Sequence, residues 1–154
     1  MRNIKLVVAY VGTNYHGFQK QPQGGTIQDV LEEFLSKVCG ETVETAGSGR
    51  TDAGVHALAQ TVSFKTNGSI PCENIVRASR GMLPDDIAVL SAEEMSNDFH
   101  ARFSAKWKAY RYRIYTGQEN NPFVYDRAWQ IKEKLNILAM EQAAKLLVGE
   151  HDFT

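Results

Sequence analysis

Cysteine is scarce in this chain: Cys39 and Cys72 are the only two among 154 residues. Two cysteines give no disulfide framework, and neither stands in a metal-ligand spacing, so no metal site is expected. Both fall where a helix is expected to begin or end, as small hydrophobes. No apolar run approaches the roughly 20 residues that span a bilayer. The apolar stretch 6–11 is too short for a secretory signal and leads into a polar loop. These absences imply a cytoplasmic setting without a membrane partner. Repeats, low-complexity stretches and obvious linkers are lacking as well. The most local absence is of acid: between Phe99 and Gln118 there is no Asp or Glu.

What is present is an ordinary globular composition, 43% hydrophobic and 23% charged. The length suits one domain with a genuine core, or two small subdomains. Net charge is −1, but its distribution matters more than its sum. The acid-free stretch carries Arg102, Lys106, Lys108, Arg111 and Arg113, interleaved with Phe99, Phe103, Trp107, Tyr110, Tyr112 and Tyr115. Cations contact phosphates and aromatic rings stack on bases. A solvated strand with a half-buried aromatic face explains the same pattern.

Residues 4–10 read as a buried strand, followed by a loop over 12–25. Thr26 with Asp29 makes a capping-box pattern. Ile27, Val30, Leu31, Phe34, Leu35 and Val38 then form one apolar helical stripe, which Gly40 ends. Short strands are expected over 42–46 and 60–66. A helix follows Pro71, with Ile75, Val76 and Ser79 inward, and Pro84 closes it. A fourth strand covers 87–90. This order is that of a ferredoxin-like βαββαβ unit, an α+β class with a mixed or antiparallel sheet. Alternation predicts a further strand over 107–116, with Tyr110 and Arg111 on opposite faces, and a weaker one over 123–131. A last helix is expected from Asn136 to Gly149, with Met140, Ala143, Ala144, Leu147 and Val148 inward.

The densest chemistry lies in Gly47-Ser48-Gly49-Arg50-Thr51-Asp52-Ala53-Gly54-Val55-His56-Ala57. Its glycines allow tight turns and close approach to a ligand. In extended backbone, Arg50 and Asp52 leave on the same side and can pair. A carboxylate held ionised by a guanidinium is a nucleophile or a base. An Asp in a glycine-rich loop also has a plainer use, bonding its own backbone in a turn. His56 reads as a proton shuttle, a structural residue or a phosphate contact.

The segment from Gly49 to Ala57 resembles the active-site motif of the tRNA pseudouridine synthase A family. Other pieces resembling that family follow in its order. They are Tyr10-Val11-Gly12-Thr13-Asn14-Tyr15-His16-Gly17-Phe18-Gln19, Thr26-Ile27-Gln28, and Leu83-Pro84-Asp85-Asp86-Ile87. Phe99-His100-Ala101-Arg102, Tyr110-Arg111-Tyr112 and Gly149-Glu150-His151-Asp152-Phe153 complete the series. The resemblance implies the pseudouridine synthase fold. It also implies isomerisation of uridine to pseudouridine in the anticodon stem-loop of tRNA, by a cytoplasmic homodimer without a cofactor. Asp52 matches the family's essential aspartate, which either adds to the nucleoside or removes a ribose proton. Arg50 matches the arginine that holds that aspartate ionised and fills the place of the flipped base. Tyr110 matches the tyrosine that stacks on the uracil and assists loss of the C5 proton. Arg102, Lys106, Lys108, Arg111 and His56 are then expected at the RNA.

The chain departs from the family at Val11, where an aspartate is usual, and at Ala59, where a glycine is usual. Family members continue past the Gly-Glu-His-Asp-Phe motif, so residues 1–154 are expected to be the N-terminal catalytic half, lacking the second half. The competing reading is a non-catalytic RNA-binding module on a ferredoxin-like scaffold. Such a module has no need of the Arg50-Thr51-Asp52 loop, and the aromatic signature of an RNA-recognition motif is missing.

Overall fold

A computed structural model describes residues 1–152, and Phe153 of the last motif lies outside the described residues. The chain forms two units, residues 1–108 and the residues from Ala109 onward.

In the first unit, β1 (Arg2–Tyr10), α1 (Ile27–Cys39), β2 (Thr45–Gly47), β3 (Ala57–Thr66), α2 (Cys72–Met82) and β4 (Ile87–Met95) follow in chain order. The four strands make one antiparallel sheet in the order β2-β3-β1-β4. The expected βαββαβ unit is therefore present, with an antiparallel rather than a mixed sheet. Strand alternation divides β1 cleanly. Ile4, Leu6, Val8 and Tyr10 are buried and join Val62, Phe64, Ile87 and Val89 in one core. Ile27, Leu31, Phe34 and Leu35 of α1 and Ile75 of α2 close that core.

Local signals decide where the helices begin and end. Thr26 and Asp29 form the expected reciprocal cap, and Gly40 ends α1 at φ 72°. Cys39 and Cys72 are the end of α1 and the start of α2, both half-buried and unoxidised. Glu32 is a buried carboxylate on α1 that ties the helix to β2. Its Oε1 accepts from the Thr45 amide at 2.9 Å and from Gln28 Nε2 at 3.0 Å, while Lys20 Nζ lies 3.0 Å from Oε2.

Several boundaries shift from the sequence expectation, and β1 and β3 begin earlier, at Arg2 and Ala57. Strand β4 runs on to Met95 because Ser91–Met95 pair with β1 beyond a bulge. The period-2 signal fails there because Glu93 and Glu94 stand in it, ion-paired to Lys5 and Arg2. Strand β2 starts only at Thr45. Val43, ahead of it, is buried with its amide bonded to Ser36 Oγ of α1 instead of to a strand.

The second unit departs further. Only Ile114–Tyr115 (β5) of the expected strand 107–116 is formed, paired in parallel with Trp129–Gln130 (β6). Tyr110 and Arg111 are therefore in irregular, exposed backbone. Alternation supplies two faces, but a strand also needs a neighbour to bond. Residues 122–127 form turns instead of a strand. The last helix, α3 (Ile137–Lys145), is capped by Asn136, whose Oδ1 accepts from the Ala139 amide. It stops before Gly149 because Leu146, Leu147 and Val148 each bond three residues back, a tighter winding. The expected inward face is not buried, and none of its residues is shielded. No helix among the described residues is long and apolar enough to cross a membrane.

Candidate active-site loop

The Gly-Arg-Thr-Asp segment is the connection between β2 and β3, antiparallel neighbours in the sheet. Its first residues are bonded to β3. Ser48 donates to the Thr61 carbonyl at 2.8 Å, and Gln60 Nε2 donates to the Gly49 carbonyl at 2.9 Å. Gly47 lies against the Phe18 ring, where an added Cβ would fall 2.4 Å from a ring carbon. Phe18 is buried with its ring 6.2 Å from that of Tyr10.

The long loop after β1 braces the middle. The Phe18 amide donates to the Thr51 carbonyl at 3.0 Å. The buried Tyr10 hydroxyl lies 2.8 Å from Thr51 Oγ1. The Gly12 amide donates to His56 Nδ1 at 2.9 Å. Glycine is required at Gly12, because a Cβ there would sit 2.1 Å from the Val55 carbonyl oxygen. The long loop is in turn anchored to the residue that precedes β4. Val11 donates to the Asp86 carbonyl, and Tyr15 Oη donates to Asp86 Oδ1 at 2.6 Å. Burial first, then that carboxylate, holds the Tyr15 phenol well above the usual range.

Between these braces the chain turns, the Val55 amide donating to the Asp52 carbonyl at 3.1 Å. The carbonyl makes the turn, and the Asp52 carboxylate stays out of it. That carboxylate is exposed and takes no hydrogen bond among the described residues. The expected Arg50–Asp52 ion pair is also not formed. Extended backbone would set the two on one side, but Asp52 opens the turn and Arg50 is exposed.

The remaining candidates are placed unevenly. The Lys108 side chain lies along Gly49, its Nζ 3.5 Å from where a Cβ would stand. Arg102 sits over the Phe103 ring at 5.7 Å, and the His100 ring packs on the same Phe103 at 4.4 Å. That cluster is pinned to the sheet where Ala101 donates to Ser63 Oγ and Asn3 Nδ2 donates to the Phe99 carbonyl. Lys106 is exposed. Tyr110 and Arg111 belong to the second unit, both exposed. Sequence reasoning missed Tyr10, Gln60 and Asp86 as supports of the loop. Tyr10 and Asp86 stand inside the quoted motifs, which was the available signal.

Comparison with known proteins bears on the family of the chain. The pattern describing tRNA pseudouridine synthase matches residues 6–104. The chain is 47% identical over all its length to tRNA pseudouridine synthase A of Thermoanaerobacter sp. (strain X514), covering 63% of that protein. It is 50% identical to the protein of the same name from Exiguobacterium sp. (strain ATCC BAA-1283 / AT1b), covering 62% of it. A third relative, tRNA pseudouridine synthase A of Acetivibrio thermocellus, is 45% identical with 63% covered. The chain thus spans less than two thirds of the length of these relatives. On the match of the family pattern across most of the first unit, the chain belongs to the tRNA pseudouridine synthase family.

Proposed function

We propose that the protein isomerises uridine to pseudouridine in the anticodon stem-loop of tRNA, with Asp52 as the reacting carboxylate. The observation that carries this reading is the state of Asp52. Thr51 before it and Val55 and His56 after it are committed to bracing the turn, whereas its own carboxylate faces solvent without a structural task. A rigid turn that offers an unengaged carboxylate is what nucleophilic or proton-abstracting chemistry requires.

The reaction breaks the bond from ribose C1′ to N1 and forms one from C1′ to C5. A proton leaves C5 and one is taken up at N1, so atoms balance without oxidant or water. No cofactor is needed for that exchange. Asp52 adds to the nucleoside or removes a ribose proton. Tyr110 stacks on the uracil and assists loss of the C5 proton. Arg50, exposed on the same loop, enters the space left by the flipped base. Arg102, Lys106, Lys108 and Arg111 meet phosphates. The working enzyme is a cytoplasmic homodimer.

The test is Asp52→Asn in the full-length protein, assayed by tritium release from tRNA labelled at uridine C5. The variant is expected to lose at least a hundredfold in turnover. Retention of more than a tenth of it, a loss of only about 1.4 kcal/mol, would show that Asp52 is not the reacting group.

A further inference from the structure

We infer that His56 is a positioning residue for Asp52, holding the far end of its turn as a neutral hydrogen-bond acceptor. This rests on Asp52 as the reacting group. The Gly12 amide can only donate, so the lone pair must sit on Nδ1 and the ring proton on Nε2. The bond joins the loop after β1 to the residue that follows the turn. A second contact makes the site unforgiving, since Gly12 and the Val55 carbonyl meet with no room for a Cβ. At the near end, Thr51 is held by the Phe18 amide and the Tyr10 hydroxyl. Asp52 hangs between these two fixed points, and a shift of about 1 Å at a reacting group costs on the order of a hundredfold in rate.

The test combines His56→Asn, His56→Gln and His56→Ala in the full-length protein with two readouts. Asn offers an oxygen near the position of Nδ1, whereas Gln offers one near Nε2. Nitrogen NMR of the ring and exchange of the Gly12 amide read the clamp without reference to catalysis. The expected result is the Nε2–H form and a slowly exchanging amide, preserved in His56→Asn and lost in His56→Ala. Turnover should stay within about threefold in His56→Asn. It should fall roughly 10- to 100-fold in His56→Gln and His56→Ala, with KM within about twofold. An Nδ1–H ring, or equal losses in Asn and Ala, would overturn the inference. An intact clamp in a wild-type protein with no turnover would support the clamp and sink the proposed function.

Discussion

The Tyr10 hydroxyl lies 2.8 Å from Thr51 Oγ1, so the last residue of the central strand touches the residue next to Asp52. Tyr10 is only 3% exposed, and its hydroxyl reaches the loop from beneath. A partly buried hydrogen bond of this kind contributes about 1 kcal/mol net, but it also fixes direction. Tyr10→Phe keeps the ring against Phe18 and removes this bond. Its urea midpoint should fall by no more than about 1 kcal/mol of stability. Its turnover on tRNA should fall about three- to tenfold at unchanged KM. A variant that loses stability without losing turnover would show that the bond serves only the fold.

The acid-free segment should supply affinity rather than base identity. Lys108 lies along Gly49 and Lys106 is exposed nearby in sequence. Replacing both by Ala should weaken tRNA binding and reduce the slope of log K against log salt by up to about two, roughly one per phosphate contact. An unchanged slope would remove this pair from the RNA interface.

Glu41 gives a pH dependence of stability. The Thr66 hydroxyl and then the Asn67 amide, with lesser help from the Asn67 side chain and the Gly68 amide, hold its carboxyl below the ordinary range. A lowered folded value means that the stabilisation is present above the ordinary glutamate range. It disappears as the pH falls through the lowered value. Glu41→Gln should therefore melt earlier than wild type at neutral pH, and the gap should close in acid. Thermal melts across that range check it, and a gap independent of pH would contradict it.

What was legible in the sequence was whatever depended on neighbours in the chain. The Thr26–Asp29 cap, the Gly40 stop and the α1 stripe are all local, and all stand as read. The succession of strands and helices in the first unit also stands as read. What failed depended on a partner. Residues 107–113 alternate as a strand does, yet strand pairing in that region extends over only two residues on each side. The site divides the same way. Asp52 stood out by its motif, but the Arg50–Asp52 pairing assumed strand geometry that the turn interrupts. The bonds from Tyr10 to Thr51 and from Gly12 to His56 cross more than forty residues, and no local pattern announces them.

The central place of β1 has a consequence for how the chain comes to be folded. Its partners are residues 57–66 and 87–95, so the first strand made is the last to be satisfied. On a ribosome, β1 must wait with both edges unpaired until β3 has emerged, and with one edge unpaired until β4 follows. Contacts of such long sequence separation slow folding, and unpaired edges invite association with other chains. Because the loop that bears Gly12 is bonded to Asp86, just ahead of β4, the braces of the Asp52 turn are complete only when that strand is in place. Damage to β4, far from the loop in sequence, would therefore be felt there as lost activity.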